Sequence, residues 1–327
     1  MIALYLFTLF VLTVYSYTQI DLNLTLLQTS WFLSFQQNMV KLGYFNRPLS
    51  TLIFVVLLFL LSIIYFQFLR HHPTTRQIII LILGICLLGL FSYPAFSHDL
   101  FNSIFYPRII FEHGANPYQV TALMFPADTW TRFMQWTHNT YPWGPVYLLL
   151  TFPFYLLGFG KFILTLFWFK TMGVIAYLVC CYFVYKIAKK PGLVLFAFNP
   201  LIILEGVISG HLDIIMLAFA LAAIRYRSLI LLALSIGVKF ATVALLPFFF
   251  FQRGSLVIIL AILGSLIQIY YRADFLPHYF IVPMGIISLY PNRKRLVVAT
   301  IIISIALLFI RYLPFLYTGQ WLAIKLY

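Results

Sequence analysis

Only seven acidic residues interrupt 327 positions. Between them the chain repeatedly runs apolar for about 20 residues, the length that crosses the hydrocarbon core of a bilayer. A sequence with 63% hydrophobic and 9% charged residues cannot cover a soluble surface with charge, so a soluble globular domain is excluded. The expected fold is all-α, a polytopic membrane protein of about 9–11 hydrophobic segments. Spans are expected near 1–18, 51–69, 77–96, 162–185, 192–208, 212–224, 255–271, 276–290 and 296–313. Met1 to Tyr17 lacks a basic leader and a small-residue cleavage site, which reads as a retained first span. With no repeat, linker or low-complexity tract, residues 1–327 read as a single integral-membrane domain.

The net charge of +14 points to no nucleic acid, because the bases fall in short clusters between spans, where cytoplasmic anchors face anionic lipid. Arg70 to Arg76, Lys186 to Lys190, Arg225 to Arg227 and Arg293 to Arg295 should share the cytoplasmic side. Simple alternation of spans cannot achieve that. It works if 145–158, broken by Pro153, and 228–250, broken at Gly237-Val238-Lys239, each enter and leave on one face. The polar stretch 97–143, following the third span, and Asp213 then share the extracytoplasmic side, as do Lys41 and Arg47. The mixed segment Asp21 to Ser50 should lie along the interface. Cys86, Cys180 and Cys181 sit in apolar runs without metal or redox spacing and read as small buried hydrophobes.

Two acids stand in defined settings: Asp99 in Ser97-His98-Asp99, and Asp213 in Gly210-His211-Leu212-Asp213. On a helix starting at Asp99, Asn102 and Tyr106 fall on the same face. The following turn, Glu112-His113-Gly114-Ala115-Asn116-Pro117-Tyr118, is shaped by Gly114, which permits positive φ, and by Pro117, which holds Asn116 extended. Glu205 lies inside an apolar run, where an unpaired charge costs roughly 2.5–3.5 kcal/mol; it must be protonated or partnered, and His211 is the candidate partner. Asp213 either caps the helix that starts there or serves the Asp99 site. Asp21, Asp128 and Asp274 show no distinctive partners in the sequence.

These motifs, in this order, resemble superfamily C glycosyltransferases, most closely bacterial polyprenol-phosphate-mannose-dependent mannosyltransferases. The resemblance covers roughly residues 90–250. It rests on Ser-x-Asp after a span, Arg108, Gly114-x-Asn116-Pro117-Tyr118, Tyr141-Pro142-x-Gly144-Pro145, Asn199-Pro200, Gly210-His211-Leu212-Asp213 and Gly237-Val238-Lys239. Ser103 stands where the family usually has Tyr. The resemblance implies an integral-membrane hexosyltransferase, with 97–143 as its extracytoplasmic catalytic loop. It would move a sugar, most readily mannose, from a polyprenyl-phosphate donor to a glycan or glycolipid hydroxyl, by direct displacement with inversion.

That chemistry needs a base for the hydroxyl proton and positive charge at the departing phosphate. Asp99 suits the first role. Arg108 and Lys239 suit the second, an arginine gripping phosphate bidentately and a lysine acting as a point charge. Asn102, Glu112, His113, Asn116, Tyr118, Glu205, His211 and Asp213 are candidates for acceptor contacts or for supporting the base. No cofactor is expected. His98, His113 and His138 with Asp99, Glu112 and Asp128 leave a divalent metal open, although no helix-borne ligand spacing appears. A transporter or flippase of lipid-linked saccharide is the alternative; it should show inverted repeats and ionisable groups at the midplane.

Overall fold

The computed structural model describes residues 1–24, 26–251, 254–272 and 274–321. Among them every regular element is a helix, with no strand. Five helices are long and apolar enough to cross a membrane: Ile2–Gln19, Arg47–His71, Phe162–Ala197, Gly254–Arg272 and Lys294–Thr318. The shorter Thr75–Phe91 is also apolar. The protein is a polytopic all-α membrane protein, as composition requires.

The helices used below are α1 (Ile2–Ser16), α2 (Ser30–Val40), α3 (Arg47–His71), α4 (Thr75–Phe91), α5 (Asp99–Phe111), α6 (Pro145–Leu156) and α7 (Phe162–Ala197). They continue as α8 (Asp213–Tyr226), α9 (Leu229–Val238), α10 (Leu246–Phe251), α11 (Gly254–Arg272), α12 (Ile281–Ile287) and α13 (Lys294–Thr318). Local chemistry sets several boundaries. Thr74 opens α4 with a reciprocal capping box, its hydroxyl accepting from the Gln77 amide while Gln77 accepts from the Thr74 amide at 2.7 Å. Pro sits in the first turn of α3 and of α6, where its missing N–H is harmless.

The segment Phe162–Ala197 is two helices that meet at Lys189, which takes φ 58°, ψ −159°. The chain reverses there: Tyr177 before the break donates to the Ala197 carbonyl beyond it at 2.9 Å. The two expected spans, 162–185 and 192–208, therefore form a helical hairpin. The returning arm continues as a π-helical turn, Ile202–Ile208, then bends by 106° into α8. Helices α9 and α10 make a second hairpin with Lys239 at its apex beside Asp213. Helix α6 starts against this apex, the Gly144 amide donating to the Val238 carbonyl at 3.1 Å. It ends at a turn feeding α7, whose first residue Phe162 packs on Phe101 and Phe133 of the loop.

Two expectations are corrected. The span 276–290 shortens to the apolar helix Pro277–Ile287, which opens as a 3-10 turn, Pro277–Phe280, with Pro277 at its start. The span 77–96 ends at Phe91, where Ser92 turns to extended backbone and accepts the chain into Tyr93-Pro94.

Ring contacts and hydrogen bonds sort the helix ends. Tyr65, near the end of α3, donates to the Leu195 carbonyl at 2.7 Å, Phe183 packs on Tyr226, and Gly192 lies against the Ser288 carbonyl. The basic clusters at 70–76, 186–190, 225–227 and 293–295 therefore gather at one end. The opposite end carries the 97–143 loop together with Arg47, which donates to the carbonyls of Phe315 and Leu316.

Candidate active site

Helix α5 begins at Asp99, whose amide is capped by the Ser97 hydroxyl at 3.1 Å. A carboxylate in a first helical turn is favoured by the unsatisfied N–H groups there. Opposite it, Gly210 adopts φ +70°, a conformation that side-chain-bearing residues resist, and Leu100 lies 3.3 Å from where a Cβ would stand. That turn aims His211 at α5. Lys170, buried on α7, secures the turn by donating to the Val207 and Ile208 carbonyls at 2.9 and 2.6 Å and to Ser92 at 2.9 Å.

A relay of side chains results. His211 Nδ1 lies 3.4 Å from Asp99 Oδ2, and His211 Nε2 lies 3.2 Å from Glu205 Oε2. Tyr312 of α13 donates a short hydrogen bond to the other Glu205 oxygen. The His278 ring stacks on His211 at 3.8 Å. Glu205 is completely buried, His211 nearly so, and Asp99 remains 29% exposed. Glu205 thus lies at ion-pair distance from His211 without a hydrogen bond between them, and is hydrogen-bonded by Tyr312.

Asp99 sits at the junction of two cavities of about 240 Å³ each. One is lined by Ser97, His98, Trp136, Arg311 and Tyr312; the other by Asn102, Tyr106, Trp143, Lys239 and Arg272. Asp99, Asn102 and Tyr106 share this second wall, as their helical spacing requires. Burial works to raise the Asp99 carboxyl, yet the hydrogen bond and charge of His211, then the charges of Lys239 and Arg272, hold it below the usual aspartate range. It is poised as a carboxylate.

Asp213 does not cap α8: the helix has no side-chain cap. Its carboxylate is clamped by Lys239, with Nζ at 2.9 and 3.0 Å from the two oxygens, and the ammonium rests over Tyr279 at 4.7 Å. Asp213 holds Lys239 in place and lines neither cavity.

The remaining expected residues lie elsewhere. Arg108 is taken by Asp128, Nε to Oδ2 at 2.6 Å, and stacks over Trp130 at 4.2 Å, so it is not brought to the cavities. His113 shares the same Asp128 oxygen at 2.9 Å and stacks on Phe125. Glu112 accepts from Tyr155 at 2.9 Å. Asn116 turns the backbone by accepting from the Tyr118 amide at 3.0 Å, and Tyr118 reaches the Trp143 carbonyl at 3.3 Å. These residues brace the loop around the cavities. Asp128, without an evident partner in the sequence, is their hub, with its carboxyl held low chiefly by Arg108 against the effect of burial. Asp274 likewise gains a partner, Arg311, at 3.2 Å through two hydrogen bonds.

Asp99, His211 and His278 could hold a divalent ion, their ligand atoms lying within 4.8 Å of one another. Both His211 nitrogens already face carboxylates, however, which suits a doubly donating imidazolium better than a ligand with a free lone pair. The expected mixed set with His98, His113 and His138 does not assemble: His113 is bound to Asp128, and His138 packs beside Trp136.

Sequence reasoning missed His278, Tyr312 and Arg272. All lie beyond the stretch that carries the ordered motifs, and nothing in their local sequence marks them. No curated protein and no solved structure matches the chain. The family described as alpha-(1->6)-mannopyranosyltransferase, N-terminal domain, matches residues 12–253, a stretch that contains Asp99, Glu205, His211, Asp213 and Lys239. With well over half its length matched, the chain belongs to the alpha-(1->6)-mannopyranosyltransferase family and is a membrane mannosyltransferase.

Proposed function

We propose that the protein moves mannose from a polyprenyl-phosphate donor to a hydroxyl of a glycan or glycolipid, at the extracytoplasmic face, by direct inverting displacement. The observation that carries this reading is the place of Asp99, an ionised carboxylate at the meeting point of two cavities. One cavity can take the donor sugar and the other the acceptor. Asp99 accepts the acceptor's hydroxyl proton as that oxygen bonds to the anomeric carbon, and the bond from that carbon to the phosphate oxygen breaks with its electron pair staying on the phosphate. Lys239, held by Asp213 on the donor side, offers a hydrogen bond to the departing phosphate.

His211, Glu205 and Tyr312 orient Asp99 and keep it charged through the relay. The gathering of basic clusters at the far end of the bundle supports an extracytoplasmic site. Because displacement inverts, an α-linked product of the kind in the family's description requires a β-linked mannosyl phosphate.

Reconstitution tests the reading. Purified protein in liposomes is given β-linked polyprenyl-phosphate mannose and candidate acceptors, and new glycosidic linkages are measured. Transfer from the β-linked donor and not from its α-anomer is expected. Movement of intact lipid-linked mannose across the bilayer without transfer would overturn the assignment in favour of a flippase.

A further inference from the structure

A third cavity of about 240 Å³ adjoins the donor side of Asp99 and shares Lys239, Arg272, Pro142 and Trp143 with it. Its floor holds an anomaly. Gln268 of α11 is 1% exposed, yet neither its amide nitrogen nor its carbonyl oxygen has a hydrogen-bond partner. Buried polar side chains are almost always paired, and each exception requires an explanation. One helical turn on, at i+4 and so on the same face of α11, stands Arg272. It lines both cavities and makes no hydrogen bond or ion pair among the described residues. Lys239 completes the group, but both Asp213 oxygens neutralise it. Taken together the three side chains carry an uncompensated positive charge, a bidentate fork and a spare amide.

We propose that Gln268, Arg272 and Lys239 form the subsite that grips the donor's phosphate, with its sugar extending through the adjoining cavity to Asp99. The inference rests on the polyprenyl-phosphate reading and assigns to α11 the role expected of Arg108. A lipid phosphodiester carries one negative charge and leaves as a monoester approaching two. Arg272, unlike the neutralised Lys239, has charge to offer as that second charge develops. The Gln268 amide donates to a phosphate oxygen without adding charge. The isoprenoid tail leaves past Phe240 and Tyr271, which pack edge to face at 5.7 Å and are 43% and 77% exposed at the rim of the site.

The test is binding of a polyprenyl phosphate and, separately, of a nucleoside-diphosphate mannose to the full chain in nanodiscs, with melting temperature measured in parallel. Arg272→Gln is expected to weaken polyprenyl phosphate binding by about tenfold or more, and Arg272→Lys to recover part of it. Gln268→Leu should weaken binding while leaving the melting temperature unchanged or raised, since it removes an unpaired buried amide. A merely structural glutamine would show the opposite pattern. Wild-type affinity in both Arg272→Gln and Gln268→Leu overturns the subsite while leaving the donor reading intact. Loss of binding only alongside a lowered melting temperature, without rescue by Arg272→Lys, also overturns it. If the wild type binds the nucleotide sugar and not the polyprenyl phosphate, the donor reading falls and the subsite with it.

Discussion

His211 Nδ1 stands 3.4 Å from Asp99 Oδ2, joining the start of the polar loop to the turn between two membrane segments. The same ring reaches Glu205 on its other side, so one imidazole couples an exposed carboxylate to a buried one. In the proposed reaction, the strength of the base and the integrity of the fold meet at this ring, and substitutions separate them.

Replacing Asp99 by Asn keeps the shape and hydrogen bonding of the side chain but removes its ability to take a proton. Transfer should fall by about 100-fold or more, while affinity for a polyprenyl phosphate lacking the sugar stays near wild type. Steady-state rates set beside direct binding measurements decide this. A rate close to wild type would show that another group is the base.

The pH profile reports on the relay. His211 is the largest influence holding the Asp99 carboxyl low, so wild-type activity should persist well into the acid range. Activity needs the carboxylate, and it disappears as pH falls through the Asp99 pKa. His211→Gln removes the hydrogen-bonded cation and lets that pKa rise, so the acid limb of the rate profile should move to higher pH. An unmoved limb would mean that His211 does not act through Asp99.

Lys239 and Asp213 are both buried and bonded at 2.9 Å. Removing one partner leaves an uncompensated charge, which typically costs about 3–5 kcal/mol. Lys239→Met should therefore lower the melting temperature sharply. Combining it with Asp213→Leu should recover much of that loss without restoring transfer. Additive losses in the double variant would show that the pair is not coupled.

Asp128 holds the loop through Arg108 and His113. Its carboxyl lies below the ordinary range in the folded protein, so its stabilising effect is present above the unfolded value of about 3.9 and is lost as pH falls through the folded one. Asp128→Asn should speed hydrogen exchange across 112–143 at neutral pH, with the difference from wild type shrinking under acid. Equal exchange at neutral pH would remove Asp128 from its place as the hub.

The sides of the membrane are open to labelling. A cysteine placed at position 116, in the loop that carries Asp99, should react with an impermeant reagent from outside the cell. Reaction from the cytoplasmic side alone would invert the assigned topology.

How far the sequence could be read depended on the range of each interaction. Asp99, Asn102 and Tyr106 were legible because helical spacing places them on one wall without knowledge of the tertiary fold. The partnering of Glu205 was legible from energetics, since a lone charge in an apolar run is expensive and His211 lies a few residues away. Arg108 was misplaced because its partner, Asp128, sits in an irregular stretch whose path no periodicity encodes. His278, Gln268, Arg272 and Tyr312 were out of reach for a related reason. Each occupies an ordinary position on its own segment and acquires meaning only where separate helices meet.

Glu205 and Tyr312 lie far apart in the chain, and their bond has a bearing on how the protein is made. As ribosomes deliver the segments in order, Glu205 enters the membrane well before α13 exists, and Asp213 enters before Lys239 follows in the next hairpin. Nascent intermediates therefore carry Glu205 without its Tyr312 hydrogen bond and, more briefly, Asp213 without Lys239. The cluster around Asp99, His211 and Glu205 is completed only when α13 brings Tyr312.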